Sequence, residues 1–182
     1  MKTYLAILRG INVSGRNKIA MNDLKSVFEA LNGERVTTYI QSGNVVFKHT
    51  DVDPEQLARQ IEQKIREKYG FDIPVLVRLP PELGQLVAQN PFLKEPDIEL
   101  DKLHVTFLAA TPDPANHDKI KGLAFGADRF ILSGNAVYVY CPSGYGNTKL
   151  SNTFFENKLK VKATTRNWKT VNELVKLAES MR

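Results

Sequence analysis

Three segments of this 182-residue chain place a cation among small residues and backbone donors close to the start of a predicted helix. They are residues 9–21 (RGINVSGRNKIAM) with Arg9 and Lys18, residues 144–152 (GYGNTKLSN) with Lys149, and residues 164–169 (TTRNWK) with Arg166. A helix start carries exposed N–H groups and a partial positive charge, so it binds phosphate or carboxylate groups well. The pattern predicts an anion site, and we expect two or more of these segments to meet there.

A Ser-Gly-Asn motif occurs twice, at residues 42–44 and 133–135, each time between two β-like runs. Glycine and asparagine tolerate the positive φ angles that hairpin turns need. A nucleophilic serine would need a nearby base, and neither copy has His or Lys beside it in the sequence. The favoured interpretation is therefore a turn that is repeated in both halves of the chain.

Other kinds of site fit the sequence less well. Gly10 and Gly15 have the spacing of a phosphate-binding loop, but Arg16 and Asn17 stand where that loop needs Lys and Ser or Thr. The three histidines are scattered without metal-ligand spacing, so we expect no metal site and no cofactor. Cys141 is the only cysteine, and we interpret it as a buried small residue.

Nucleic-acid binding is an alternative that the sequence leaves open. In the run NAVYVYC, Tyr138 and Tyr140 lie on the same face of a predicted strand. Paired tyrosines on a sheet can stack on bases, or they can pack against a sister unit, and we favour packing. The octamer motif of RNA-recognition domains is absent from the corresponding strand of the first half.

The composition is that of a globular protein with basic ends. Apolar residues make up 42% of the chain, and the net charge is +5. Residues 1–35 carry six basic and three acidic side chains, residues 36–142 carry eleven and fourteen, and residues 143–182 carry eight and three. If the ends meet, they form a positive surface suited to anions. With no membrane-length apolar run, no apparent leader and a single cysteine, we expect a cytoplasmic protein.

The elements that must position these segments follow a repeated order. In the first half we predict a strand at 3–8, a helix capped by Asn22 and ended by Gly33, strands at 35–41 and 44–48, a helix from Asp53 to Gly70, and a strand at 73–79. In the second half we predict a strand at 103–109, a helix at 114–123, strands flanking 133–135, a helix at 152–160, and a last helix at about 166–180 capped by Thr165.

The order β-α-β-β-α-β predicts an α+β fold of two tandem ferredoxin-like units packed as a pseudo-dimer. The expected boundaries are 1–80 for the first unit, 81–101 for a connector, and 102–182 for the second unit with the C-terminal helix. Within each unit we expect the first and third strands to be parallel neighbours, so that the loops after them emerge at the same edge.

Several motifs resemble a bacterial family catalogued as domain of unknown function 1697. They are AILRGINVSGRNKIAM (6–21), TYIQSGNVVF (38–47), NPF (90–92), TKL (148–150) and ATTRNWKTV (163–171). The resemblance spans almost the whole chain and implies a two-lobed α+β fold without an agreed activity. It also implies a role for the residues of its recurring motifs: Arg9, Asn12, Lys18, Ser42, Asn44, Lys149, Arg166, Asn167 and Trp168.

The function we predict is binding of a phosphate-bearing or other anionic ligand, which includes small molecules, nucleotides and nucleic acid. Arg9, Lys18, Lys149 and Arg166 would supply charge, and Asn12, Asn44 and Asn167 would supply orientation. Trp168, beside Arg166, is favoured as a core anchor. Two alternatives stay open: an enzyme that acts on a small anionic substrate in the same pocket, and a structural or partner-binding module.

Overall fold

The computed structural model describes residues 1–182 and shows a mixed α+β protein with two four-stranded antiparallel sheets. The first half contains β1 (Lys2–Leu8), α1 (Met21–Ala30), β2 (Glu34–Thr38), β3 (Asn44–His49), α2 (Pro54–Tyr69), β4 (Val75–Arg78) and α3 (Pro80–Ala88). The second half contains β5 (Leu103–Leu108), α4 (Pro114–Ile120), β6 (Arg129–Ser133), β7 (Ala136–Tyr140), α5 (Asn152–Leu159), β8 (Ala163–Asn167) and α6 (Trp168–Glu179). None of the helices is both long enough and apolar enough to cross a membrane.

The first sheet has the strand order β2-β3-β1-β4. Its central strand β1 is antiparallel to both β3 and β4. Helices α1 and α2 lay apolar side chains at helical spacing, including Phe28 and Ile61, on one face of this sheet. Tyr4 and Phe47 belong to the same core. Burial of this apolar face is the main source of stability for such a unit.

Helix α2 begins and ends where the sequence predicts. The Asp53 carboxylate accepts a hydrogen bond from the Gln56 amide at 3.0 Å, and Pro54 occupies the first turn. Gly70 ends the helix in the left-handed region at φ 71°. These caps satisfy backbone groups that the helix itself cannot pair.

The second sheet has the corresponding order β6-β7-β5-β8, again with antiparallel neighbours. Helices α4 and α5 cover one face, where Ile120 and Phe155 pack with Val137 and Val139. Because β5 is antiparallel to β7, as β1 is to β3, the expectation of parallel first and third strands is wrong. The loops that follow these strands leave each sheet at opposite ends.

The predicted last helix begins too early. Residues 163–167 form β8, the fourth strand of the second sheet, and α6 starts at Trp168. Thr165 therefore lies in a strand and is not a helix cap. The β-branched pair Thr164 and Thr165 suits a strand, and pairing with β5 decides the conformation.

Smaller corrections concern the ends of other elements. The N-cap of α1 is Ala20, and Asn22 lies inside the helix. Helix α1 ends at Ala30, before Gly33, and α4 ends at Ile120. The second strand of the first half ends at Thr38, so residues 39–43 form a loop.

The chain divides into two compact units. The first comprises Met1–Gln85 and Glu173–Arg182, and the second comprises Leu86–Asn172. The expected boundaries placed residues 81–101 in a connector and the whole C-terminal helix in the second unit. An apolar stripe shows that a terminal helix packs against something, but it does not show which unit the helix joins.

Candidate functional site

In the first unit, the loop after β1 lies against the loop before β3, which carries the first Ser-Gly-Asn motif. Asn12 Nδ2 donates to the Gln41 carbonyl at 2.9 Å and to the Ile19 carbonyl at 3.0 Å. Asn12 Oδ1 accepts from the Ile19 amide at 2.9 Å. Asn17 Nδ2 adds a bond to the Gly10 carbonyl at 3.0 Å. These amide side chains hold the loop in one shape.

Gly43 is a point of close approach between the two loops. Its carbonyl accepts a hydrogen bond from the Leu8 amide at 2.8 Å, and its φ is 91°. A Cβ atom at this position would lie 2.9 Å from both Ile11 Cδ1 and Leu8 Cβ. Glycine therefore satisfies a backbone requirement and a space requirement together.

Ser42 and Asn44 are bonded to each other next to Gly43. Asn44 is fully buried, and its Nδ2 donates to Ser42 Oγ and to the Tyr39 carbonyl, both at 3.0 Å. The Tyr39 amide in turn donates to the Asn44 carbonyl at 2.9 Å. The Asn44 side chain thus fixes the shape of the 39–43 loop from inside.

The second Ser-Gly-Asn motif also lies between the second and third strands of its unit, as predicted, but it forms a different turn. Ser133 ends β6 and Ala136 begins β7, which leaves Gly134 and Asn135 as a two-residue turn. The Leu108 amide donates to the Asn135 carbonyl, just as the Leu8 amide donates to the Gly43 carbonyl. Asn135 therefore corresponds to Gly43, and the two motifs are offset by one residue.

The cations of the first loop differ in exposure. Arg9 is half-buried, and its amide donates to the Pro74 carbonyl at 3.0 Å. Arg16 and Lys18 are exposed. The loop leads directly into α1, whose N-cap Ala20 provides no side-chain hydrogen bond. The loop that leads to this uncapped helix start therefore carries two exposed cations.

In the second unit, polar residues gather where β7 and β8 end and β5 begins. His104 pairs with Asn167 across the strands, and its ring stacks on that of Tyr145 at 4.6 Å between centroids. His104 Nδ1 is buried and has no hydrogen-bond partner. Burial lowers the pKa of His104 below its ordinary value, although a backbone hydrogen bond at Lys102 opposes this change.

Arg166 lies in β8 and not in the first turn of a helix, where the sequence prediction placed it. Its guanidinium is buried, and Nη1 donates to Thr164 Oγ1 and to the Thr165 carbonyl, both at 2.9 Å. Burial lowers the pKa of Arg166 to about 10, and only an ionised Tyr145 phenolate would oppose this shift. The helix-start argument for an anion therefore does not apply to Arg166.

The residues that follow Arg166 form the start of α6. Asn167 Oδ1 accepts from the Thr170 amide at 2.8 Å, so Asn167 caps this helix. Trp168 is 6% exposed, in agreement with its interpretation as a core anchor. Lys149 is exposed in the loop before α5, whose own side-chain cap comes from Ser151.

One polar chain in this unit was not predicted from the sequence. Thr106 Oγ1 and Thr165 Oγ1 lie 2.7 Å apart, and Thr165 Oγ1 donates to Asn152 Oδ1 at 2.7 Å. The available signal was the alternation of His104 and Thr106 along an otherwise apolar strand. That alternation places both side chains on the same face of the sheet.

The tyrosine pair does not form an exposed stacking platform. Tyr138 and Tyr140 are both buried. Tyr138 Oη donates to the Leu86 carbonyl at 2.7 Å, and Tyr140 Oη accepts from the Glu99 amide at 3.3 Å. Burial also raises the pKa of Tyr138. The rings are therefore not open to base stacking, and the hydrogen-bond partners of both hydroxyls belong to the same unit as the tyrosines.

Comparisons with known proteins agree with the motif resemblance. Residues 1–138 match the family described as "Protein of unknown function (DUF1697)". The fold is similar to that of the conserved bacterial protein SP0830 from Streptococcus pneumoniae, at 21% identity and a TM-score of 0.74, over 97% of this chain and 98% of that one. No curated protein matches the chain. Since the family match covers most of its length, the chain belongs to the DUF1697 family of proteins of unknown function.

Proposed function

We propose that the chain binds a phosphate-bearing or other anionic ligand, a nucleotide or nucleic acid included, at the 9–20 loop before α1. The observation that carries the proposal is a helix start without a side-chain cap, preceded by a loop that carries the exposed cations Arg16 and Lys18. The first N–H groups of a helix need acceptors from outside the helix. An anion at this position would accept from those groups and offset both charges.

The fixed shape of the loop supports the proposal. Asn12 and Asn17 tie it down with hydrogen bonds, and several of its residues have positive φ angles: Gly10, Asn12, Ser14, Gly15 and Asn17. A loop that is ordered before binding loses little conformational entropy when the ligand arrives. Binding energy is then available for the anion itself.

The predicted site residues take different parts in this proposal. Lys18 contacts the ligand directly, and Asn12 positions the loop through bonds within the protein. Asn44 likewise shapes the neighbouring 39–43 loop, together with Ser42. Lys149 lies in the other unit, in the loop before α5, and has no part in this proposal. Asn167 caps the N-terminus of α6.

Isothermal titration calorimetry with inorganic phosphate, ATP, single-stranded RNA and duplex DNA tests the proposal. We expect one class to bind, with affinity that falls as salt increases. The double variant Arg16→Ala/Lys18→Ala should weaken binding at least about tenfold, which is about 1.4 kcal/mol. Ala20→Asp should also weaken it, because a carboxylate would occupy the helix start.

The control is Lys158→Ala, which removes an exposed lysine from the last turn of α5. It lowers the net charge without touching the 9–20 loop, so affinity should stay near that of the wild type. Equal affinity of the wild type, the double variant and Ala20→Asp for every probe would show that this loop is not the site.

A second candidate function, an enzyme that acts on a small anionic substrate, is favoured by His104. A histidine with a buried nitrogen that lacks a partner and with a lowered pKa is suited to proton transfer. Hydrolysis of generic phosphate and carboxylate esters, compared between wild type and His104→Gln, tests this candidate. Activity that is equal in both proteins would remove His104 from the reaction.

We further propose that each unit is ferredoxin-like. The repeated order of elements and the matching strand orders of both sheets support this. Internal duplication, packing as a pseudo-dimer and a cytoplasmic location belong to the same proposal. Expression of residues 86–172 as a separate chain would test whether the second unit folds alone.

A further inference from the structure

Two loops at one end of the first sheet present aliphatic side chains to solvent. Val13 is 55% exposed and Ile40 is 49% exposed. Apart from the terminal Met1, no other large hydrophobic side chain of the first unit is exposed. The two residues flank the hydrogen bond that joins the loops, in which Asn12 Nδ2 donates to the Gln41 carbonyl at 2.9 Å. The aliphatic side chains therefore stand at the same end of the unit as the proposed anion site.

Val13 lies on a turn that projects from the 9–20 loop. The Arg16 amide donates to the Val13 carbonyl at 2.9 Å, and the two residues form an isolated antiparallel bridge. Ser14 and Gly15 between them have φ angles of 50° and 76°, as in the type I′ turn of a tight hairpin. A Cβ at Gly15 would lie 3.8 Å from Lys18 Cε, so the lysine side chain runs beside this turn. The turn thus presents an aliphatic side chain together with two cations.

Ile40 holds a backbone conformation that is unfavourable for its residue type. Its φ is 50°, in the left-handed region that a β-branched residue seldom adopts. Glycine or asparagine would adopt this conformation at lower cost. Packing in a core could offset the strain, but Ile40 is exposed and gains little from burial. An exposed isoleucine in a strained loop indicates contact with an apolar group outside the chain.

The charge at this end of the unit is positive. Residues 9–20 carry three cations and no acidic side chain, and residues 39–43 carry no charge. The segment before β4 reaches the same end, since the Arg9 amide donates to the Pro74 carbonyl. Within it, Arg66 holds Asp72 at 2.6 Å. Segments 9–23, 39–43 and 66–74 together carry five basic and three acidic side chains, Asp23 included.

The combination of cations and aliphatic side chains distinguishes between anionic partners. A free phosphate or nucleotide would leave Val13 and Ile40 exposed to water. A single-stranded nucleic acid is bound through exposed aromatic rings, and Tyr39, the aromatic residue of these loops, is partly buried. An anionic bilayer surface offers phosphate groups and, just beneath them, an apolar phase. It is the partner that uses both kinds of side chain.

We propose that the 9–20 and 39–43 loops dock on the surface of a membrane that contains anionic phospholipids. Val13 and Ile40 enter the boundary between headgroups and acyl chains, while Arg16 and Lys18 contact lipid phosphates. This inference rests on the proposed anion site and names its ligand as a lipid headgroup. Two aliphatic side chains alone bind a bilayer weakly, so attachment needs the charges as well and is reversible.

Cosedimentation with vesicles tests this inference, with phosphatidylcholine alone and with an equal mixture of phosphatidylcholine and phosphatidylglycerol. We expect the wild type to bind the mixed vesicles, less as salt increases, and not the neutral ones. Val13→Thr/Ile40→Asn should bind mixed vesicles at least about tenfold more weakly, because both changes remove apolar surface. Threonine keeps the shape of valine, and asparagine suits the φ of residue 40, so the fold should be retained. The matched control Leu123→Gln removes an exposed leucine of the second unit and should bind within about twofold of the wild type.

Parallel calorimetry with inorganic phosphate and ATP separates this inference from the anion site itself. We expect Val13→Thr/Ile40→Asn to bind these probes as the wild type does. Vesicle binding that this variant retains in full overturns the inference, and so does a wild type that binds ATP but no vesicles; the anion site stands in both cases. Vesicle binding that persists in Arg16→Ala/Lys18→Ala overturns the anion site and the inference together. A variant that loses affinity for RNA or DNA but not for vesicles would make nucleic acid the occupant.

Discussion

The two units share one strand order but place their long loops at opposite ends of their sheets. In the first unit, residues 9–20 link the first strand to the first helix, whereas residues 109–113 suffice in the second. The reverse holds after the third strand, where residues 50–53 suffice in the first unit and residues 141–151 are used in the second. Because the first and third strands are antiparallel, these long loops lie at different ends. One topology thus supports two unrelated polar surfaces.

Other positions are used in the same way in both units. Arg78 pairs with Leu5, and Arg166 pairs with Val105, at corresponding places of the fourth strand. Both arginines are 8% exposed, and burial lowers the pKa of each. Each stands just before the helix that follows its strand. A buried arginine that recurs at one position in two units indicates a role in the fold itself.

The largest expected difference between the units concerns their turn glycines. Gly43→Ala should lower the free energy of unfolding by about 3 kcal/mol, because strain at positive φ adds to a clash with Leu8 and Ile11. Gly134→Ala should cost about 1 kcal/mol, because its φ is also positive but no atom lies within 4 Å of the added Cβ. Urea denaturation of both variants gives the comparison.

Gly126→Ala serves as a control for strain alone, since this residue also has positive φ and open space around it. Its loss in the free energy of unfolding should be similar to that of Gly134→Ala. Equal losses for Gly43→Ala and Gly134→Ala would mean that the loop before β3 yields to the extra atom. The close approach of the two loops in the first unit would then not be what requires a glycine at position 43.

The regular elements were largely predictable from the sequence because their signals are local. The apolar spacing and caps of α2 lie within one stretch of chain, and they predicted it almost to the residue. Strand β8 was missed because its conformation depends on pairing with β5, which is distant in sequence. The apolar stripe of α6 begins directly after β8, at Trp168, and it led to a predicted helix that started too early.

The candidate site was predictable only in part. The basic loop before α1 was recognised from its glycines and cations, and its contact with the Ser42–Asn44 motif was not. That contact depends on Asn12 reaching the Gln41 carbonyl, and sequence spacing does not encode such a distance. The stack of His104 on Tyr145 was missed for the same reason, since the two rings belong to different segments.

A moderate effect is expected at the starts of α1 and α6, where the caps are Ala20 and Asn167 and not the predicted Asn22 and Thr165. Asn167→Ala should cost about 1 kcal/mol, because the Thr170 amide loses its acceptor. Asn22→Ala should be close to neutral, since Asn22 lies inside α1 and is exposed. Thermal or urea unfolding of both variants measures the difference. A larger loss for Asn22→Ala than for Asn167→Ala would restore Asn22 as the cap of α1 that the sequence indicated.

The smallest expected effect distinguishes His104 from Tyr4, which occupies the corresponding position of β1. The Tyr4 hydroxyl donates to the Val52 carbonyl at 2.8 Å and accepts from the Val52 amide at 3.0 Å. In contrast, His104 Nδ1 has no hydrogen-bond partner, and burial holds the pKa of His104 below 6.5 in the folded protein. Only the second unit therefore has a titrating group at this position that responds to mild acid.

The sign of that response follows from proton linkage. Near pH 6 the unfolded chain binds more protons at residue 104 than the folded chain does, so stability falls as the pH drops below about 6.5 and stops falling below the lowered pKa. His104→Phe keeps a ring against Tyr145 and removes the titration. Urea denaturation of both proteins between pH 7.5 and 5 should show a steeper loss of stability in acid for the wild type, because the two proteins differ only at residue 104. Parallel curves would mean that His104 gains a proton as readily in the folded chain as in the unfolded one, and its burial would then not distinguish the two units.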